Sequence, residues 1–420
     1  MGQRVIRTGK RSKSQEGRKK RQQIQEQIGR LDSRFELIQM LIPLGLKAVE
    51  EELQREVEQW VGHAGSRSPE NRRWGKNPGS VYLGDQKVRI EVPRVRNVAV
   101  RQEVPLESYQ AFRKTKVLDH QVLNRLICGI SQRQYEQAAL CVPETFGIKK
   151  SSVSRHFIRT TARKLETFLN RDLSQEDIVA IFIDGKRLAE TDMIVALGIT
   201  MEGKKILLGF VEASTENQRV AQEFIQRLLD RGLKIEQEIL FIIDGAKGLY
   251  KGIKTSLAEK ALIQRCQWHK RENVVSYLSQ EQARRFRQKL QAAYQQPSYE
   301  KAKEALERIA KELRLINGSA VESLREGLEE TLTLHRLGLF EELGTSFKTT
   351  NCLENVNRQL ERLTHRVSYW KNSDQRQRWT ATALLEIEPR LRKVKGFRHL
   401  KALRKAMKKE SHPKSDQAAA

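Results

Sequence analysis

The feature that most constrains this chain is a repeated one: the runs Ile181-Phe182-Ile183-Asp184-Gly185 and Phe241-Ile242-Ile243-Asp244-Gly245. Each is a short apolar, β-branched stretch that ends in a carboxylate and a glycine. Such a run, closed by a turn signal, reads as a strand buried on both faces. A carboxylate at its end stands at the edge of the sheet, where open α/β folds form their binding sites. For one Asp-Gly pair a strand-end turn, stabilised by the Asp side chain, is the simpler account. Two such pairs in one sheet make a constellation.

The flanking pattern supplies the sheet. Ile178 to Asp184, Met193 to Thr200 and Lys204 to Val211 read as a three-strand meander, its last two strands joined through Met201-Glu202-Gly203. Glu216 to Arg231 reads as an amphipathic helix with Val220, Phe224, Ile225, Leu228 and Leu229 inward. A strand at Ile239 to Asp244, a helix at Gly248 to Leu257, a strand at Ala261 to Gln264 and a helix from near His269 follow. This order is that of a ribonuclease-H-like α/β core, with a first part over residues 178–278 and a second over 344–395. Between them, 279–343 is helical throughout, with Ala293, Ala302, Leu306, Ile309, Ala310 and Leu313 as buried positions, and reads as an all-helical insertion.

Charge points to the partner. The 420 residues carry 78 Lys+Arg against 52 Asp+Glu, a formal net charge of +26, which implies a polyanion. At 38% hydrophobic residues the chain supports real cores, so a wholly disordered basic protein is excluded. There is no run long enough for a membrane span and no apolar signal core near Met1, and four cysteines form no disulfide framework. The expected setting is cytoplasmic and nucleoid-associated. Residues 1–30 read as a basic arm and 396–420 as a basic C-terminal tail. Residues 31–115 read as a helical segment around Glu36 to Trp60, interrupted by Pro43, and a small β module in which Val81 to Leu83 and Lys87 to Val92 flank Gly84-Asp85. Over 116–172 a helix from Ser131 to Leu140, a break at Val142-Pro143 and Gly147, and a helix from Lys149 to Leu165 read as a helix-turn-helix. Lys149, Lys150, Ser152, Ser154 and Arg155 provide the small polar and basic side chains that a recognition helix presents to base edges and phosphates. An ordinary pair of surface helices has the same pattern.

Two neighbouring carboxylates repel, so a preformed pair argues for a cation. Hard oxygen ligands select Mg²⁺ or Mn²⁺, and two such ions activate the attacking oxygen and stabilise the leaving one in phosphoryl transfer. Glu354 is the candidate third carboxylate, although Asn351 as N-cap with Glu354 three residues on also fits a capping box. Arg358 and Arg362 follow at i+4 and i+8, placed to grip phosphates, or, for Arg358, to pair with Glu354 on a solvated helix face. Cys266 and His269 resemble half a zinc site, but no second Cys/His pair stands at suitable spacing. His269 also suits a place near metals or phosphates, and Cys266 and Trp268 suit packing at the end of the last strand.

Taken together, these segments resemble the mutator-type transposases of bacterial insertion sequences. The likeness rests on Ile183-Asp184-Gly185, on Val195 to Ile199 with Glu202-Gly203-Lys204-Lys205, and on Asp244-Gly245-Ala246-Lys247-Gly248-Leu249. It continues through Gln264 to Asn273, which holds the Cys-x-x-His segment, and ends in Thr349 to Arg358. Ordered motifs over roughly residues 178–395 are far more specific than any one of them. The resemblance implies a DDE transposase with its acidic triad on Asp184, Asp244 and Glu354, 60 and then 110 positions apart, the long interval holding the helical insertion. It implies metal-dependent cleavage and strand transfer on double-stranded DNA, at terminal inverted repeats and at target DNA, by a homodimer or larger assembly when the ends are synapsed. A structure-selective nuclease or resolvase lacking strand transfer, or a DNA-binding regulator that has lost catalysis, are the rival expectations.

Overall fold

A computed structural model describes residues 44–66, 68–83, 86–113, 122–123, 126–127, 150–213, 217–365, 367 and 369–411. The chain divides into two compact units, residues 1–160 and 161–420. Among the described residues no helix is long and apolar enough to cross a membrane.

In the first unit, helix α1 (44–61) buries Val49, Leu53, Val57 and Val61, a stripe at i, i+4, i+8 and i+12. Strands β1 (Asn71–Leu83) and β2 (Gln86–Asn97) form an antiparallel hairpin to which β3 (Glu103–Val104) adds a short third strand. Helix α2 (Glu107–Phe112) follows. Val81, Ile90, Val92, Val95 and Leu106 join the α1 stripe in one core. The hairpin is much longer than the sequence pattern suggests, because its outer half carries exposed polar residues and offers no apolar alternation to read. Glu36 to Pro43, Gly84-Asp85, Lys149 and the first helix and turn of the expected helix-turn-helix lie outside the described residues. Helix α3 (Lys150–Leu169) extends four residues beyond the expected Leu165. Ser152 and Ser154 are half-buried and Arg155 is exposed, whereas Val153, His156 and Phe157 are buried.

The second unit is built on a five-stranded sheet of order β6-β5-β4-β7-β8. Strands β4 (Ile178–Leu188), β5 (Thr191–Thr200) and β6 (Lys205–Ala213) form an antiparallel meander. Helix α4 (Gln218–Asp230) leads to β7 (Ile239–Ile243), which pairs parallel to β4, and helix α5 (Lys247–Leu257) leads to β8 (Ala261–Arg265), parallel to β7. Both faces of this sheet are covered, so its central strands are apolar on every residue rather than alternating. Ile181, Ile183, Ile194 and Phe241 pack with Phe224, Ile225, Leu228 and Ile253 on one side. Phe182, Val195, Leu197 and Ile242 pack with Leu353, Val356, Leu360, Leu384 and Met407 on the other.

Helices α6 (Gln267–Val275), α7 (Gln280–Tyr294), α8 (Tyr299–Arg314), α9 (Gly318–Arg325), α10 (Leu328–Thr331), α11 (Thr333–Arg336) and α12 (Phe340–Phe347) come next. Residues between Val274 and Leu332 share a core of their own around Phe286, Leu290, Leu306 and Leu313. Helices α13 (Asn351–Thr364) and α14 (Ser373–Ile387) then return to the sheet.

The expected basic tail is a correction. Residues from Leu400 to Ser411 form helix α15, with Leu400, Leu403 and Met407 fully buried in the sheet core. Arg404 pairs with Asp177 at 2.6 Å and donates to the Ile178 carbonyl at 3.0 Å. Its lysines and arginines cover the outer face of an amphipathic helix, and counting charges alone hid the three-residue apolar stripe beneath.

Candidate active site

Asp184 does not end its strand. Strand β4 runs on past it to Leu188, paired with β5 throughout, and Asp184 faces Val195 across that ladder. On the other side the pairing stops one residue earlier, at Ile183 opposite Ile243 of β7. Asp184 is thus the first β4 residue with no β7 neighbour, and Asp244 is the residue at which the β7 chain leaves the sheet. Parallel strands lie about 4.8 Å apart, so the register sets the two aspartates side by side at the carboxyl end of β7. Gly185 continues the strand and serves no turn. Gly245 does turn, at φ +110°, and Asp244 Oδ1 accepts from the Ala246 amide at 2.9 Å, the local bond that Asp favours in loops.

Helix α13 brings the remaining groups. It packs against β4, and Asn357 on its inner face donates from Nδ2 to Asp184 Oδ2 at 3.2 Å. Glu354 lies one turn earlier. The alternative of an Asn351 capping box is not realised: Thr350 is the N-cap, Asn351 is the first helical residue, and the Thr350 hydroxyl makes no cap bond. That hydroxyl instead donates to Glu354 Oε1 at 3.1 Å and also lies 3.5 Å from His269 Nδ1 and 3.7 Å from Cys266 Sγ. Thr350 therefore joins the Glu354 helix to the Cys266/His269 segment. Cys266 is buried at the end of β8, whereas Trp268, expected to pack there, is exposed and lies edge-on to His269 with ring centroids 4.8 Å apart. Burial alone would lower the His269 pKa, but the Cys266 sulfur and then the Asp184 and Asp244 carboxylates push it up to about 9. His269 thus sits in the field of both aspartates as a cation at neutral pH.

Arg358 and Arg362 are exposed on α13, and neither forms an ion pair with a described residue, so the alternative of a Glu354–Arg358 pair is not made. Glu361 pairs instead with Lys186 of β4 at 2.9 Å.

The donor set suits a hard cation: carboxylate oxygens from Asp184, Asp244 and Glu354, and the amide oxygen of Asn357, which is buried and finds no hydrogen-bond partner among the described residues. No three His, Cys, Asp or Glu side chains of the described residues stand together as a cage, and Glu354 is turned to Thr350. The register brings Asp184 and Asp244 to the same end of the sheet, while the Glu354 carboxylate is engaged by the Thr350 hydroxyl.

The family model for the Mutator-family transposases matches residues 12–390. The chain belongs to that family. It is 25% identical over 314 residues to the transposase for insertion sequence element IS256 in transposon Tn4001 of Staphylococcus aureus, covering 71% of this chain and 77% of that one. It is 26% identical over 305 residues to the transposase for insertion sequence element IS905 of Lactococcus lactis, covering 70% and 74%. Against the transposase for insertion sequence element ISRM5 of Rhizobium meliloti it is 25% identical over 350 residues, covering 79% and 85%.

Sequence reasoning missed Thr350, Asn357 and an ionic cluster behind the Asp244 loop in which two buried cations meet an exposed carboxylate. In that cluster Arg265 donates from Nη1 to the Glu326 carbonyl at 3.0 Å and from Nη2 to its carboxylate at 3.3 Å. Lys270, fully buried, also donates to the Glu326 carbonyl. Burial and the neighbouring Arg265 push Lys270 down to about 8, against the pull of Glu326. The sequence signal was present in Arg265, which closes the apolar run Ala261 to Ile263 within two residues, and in Lys270 at the start of the following helix.

Proposed function

We propose that this chain is a DNA transposase that recognises the terminal inverted repeats of an insertion sequence, cuts the element ends and joins them to target DNA through a ribonuclease-H-like core. The observation that carries the reading is the register that puts Asp184 and Asp244 side by side, with the Glu354 helix bonded to Asp184 through Asn357. In this reading Asp184, Asp244 and Glu354 hold two Mg²⁺ or Mn²⁺ ions. Bound there, the ions would supply Lewis-acid stabilisation of charge on the reacting phosphate. Asn357 orients the Asp184 carboxylate, and Thr350 orients Glu354. His269 balances the negative charge of the aspartates between turnovers. Arg358 and Arg362, exposed along α13, grip phosphates flanking the reacting bond. The first turns of α3, from Lys150 through Ser152, Ser154 and Arg155, with Lys149 before them, read the repeat as the second helix of a helix-turn-helix. Hydrolysis at the element end releases a 3′-hydroxyl, which then attacks a target phosphodiester in line, within a dimer or larger assembly that holds both ends.

Incubation of the purified protein with a labelled duplex from the end of its encoding element, with Mg²⁺, should yield nicked and joined products. Asp184→Asn should abolish both. Full activity in that variant would refute the assignment, and nicking without joined products would favour a nuclease.

A further inference from the structure

Immediately behind Asp244 lies a cavity of about 210 Å³, and nothing in the proposed reaction uses it. It opens at the carboxyl ends of β7 and β8, between Ile243, Ile263, Gly245, Tyr250 and Arg265. A dry cavity of about 150 Å³ takes up a benzene ring, so this one fits a single heteroaromatic ring and excludes a duplex. Its walls are largely apolar: Ile243 and Ile263 are buried, and the half-buried Tyr250 ring adds an aromatic surface.

Two glycines make room for the Arg265 guanidinium in the cavity wall. A Cβ on Gly245 would fall 2.0 Å from Arg265 Nε, and one on Gly327 would fall 2.5 Å from Arg265 Nη1. Both have positive φ, +110° and +65°. The guanidinium they admit is 7% exposed; Glu326 satisfies its two terminal nitrogens, but Nε has no acceptor among the described residues. A buried N–H without a partner is costly, and an incoming carbonyl or ring nitrogen would relieve it.

The charges say what enters. The cations inside are already engaged by Glu326, which pairs with Arg265 at 3.3 Å, Lys270 at 3.6 Å and Lys247 at 3.5 Å, while Lys251, exposed one turn beyond Lys247 on α5, is open to solvent. A neutral flat ring therefore goes in and the phosphates attached to it stay out, beside the lysines and Asp244. We propose that this cavity takes one nucleobase, unstacked from the DNA end, next to the phosphate that the aspartates address. The proposal rests on the DNA-cleaving reading of those aspartates.

The test uses the full chain and element-end duplexes in which 2-aminopurine replaces, one position at a time, the nucleotides on either side of the cut. In EDTA, binding should raise the fluorescence at one position, because unstacking relieves quenching. Tyr250→Ala should lose that rise while still binding the duplex, and should cut the intact duplex with Mg²⁺ roughly 5- to 100-fold more slowly. On a duplex abasic at the responding position, the wild type and Tyr250→Ala should cut at equal rates, since no base is left to hold; a purely structural role for Tyr250 would keep the defect. A bound duplex with no responding position, or a rise unchanged in Tyr250→Ala, overturns the proposal. The fluorescence is read without metal, so it reports on the cavity independently of cutting. Failure of the wild type to cut counts against the catalytic reading alone.

Discussion

Replacing Gly245 with alanine would place a Cβ 2.0 Å from Arg265 Nε, 2.5 Å from its Cζ and 2.7 Å from its Nη2. Two costs follow. The backbone sits at φ +110°, and a side chain in the positive-φ region costs roughly 1–2 kcal/mol. The guanidinium must also retreat by more than an ångström, which breaks the geometry of its bonds to the Glu326 carbonyl and carboxylate; hydrogen bonds to charged groups contribute about 1.5–3 kcal/mol. The expected loss is roughly 3–5 kcal/mol, against a domain stability of about 5–15 kcal/mol. Urea unfolding followed by circular dichroism measures it, and a double-mutant cycle with Arg265→Met isolates the steric part. With the guanidinium gone, Gly245→Ala should cost only the backbone strain, leaving a coupling of about 2–3 kcal/mol. A loss below about 1 kcal/mol, or the same loss in both backgrounds, would show that Arg265 does not occupy the space beside Gly245.

Three further outcomes can be measured separately. His335 is buried, stacked on Phe340 with ring centroids 3.7 Å apart, and burial pushes its pKa down to about 4. The unfolded chain binds a proton near pH 6.5 and the folded one only near 4, so stability falls as pH drops through that window, by roughly 2–3 kcal/mol; His335→Phe should flatten that part of the curve, and parallel profiles would contradict it. Arg231 donates to the carbonyls of Phe168, Arg171 and Leu208, tying the end of α3 to β6, so Arg231→Met should cost about 3–5 kcal/mol in chemical denaturation by leaving those acceptors unpaired. Glu388 accepts from the Leu207 amide at 2.7 Å, beside the register shift between β5 and β6, and pairs with Arg171 at 2.8 Å; Glu388→Ala should cost about 1–3 kcal/mol and Glu388→Gln clearly less, and equal losses would deny the amide bond its role.

The sheet was legible because its evidence is local. Each central strand is covered on both faces, so Ile181 to Ile183 and Phe241 to Ile243 are apolar at every position, and no tertiary knowledge is needed to read them as strands. The same locality explains the errors. The continuation of β4 past Asp184 depends on pairing with β5, and Gly185-Lys186-Arg187 carries none of the apolar signal that marks the strand before it. In α15 the signal was three residues, Leu400, Leu403 and Met407, under a dense cover of lysine and arginine. Net charge is a sum, and a sum cannot distinguish a basic tail from a basic helix face.

The site itself divides along the same line. Asp184 and Asp244 were readable because each follows an apolar run of its own, and the parallel register does the rest. Asn357, Thr350 and Arg265 were not, since their importance lies in partners 173, 4 or 81, and 61 positions away along the chain. For Glu354 the sequence offered a local partner, the Asn351 capping box, and the fold supplied a different one: Thr350 takes the carboxylate, and Asn351 becomes the first helical residue. A carboxylate held by a neutral hydroxyl remains available for exchange, whereas one locked to Arg358 at i+4 would first have to give up a charged partner. Among the described residues Glu354 and Arg358 form no ion pair, and Arg358 stays exposed on α13. The negative charge of the site is thus concentrated where the register puts it, and the cations of α13 stay beside it unspent.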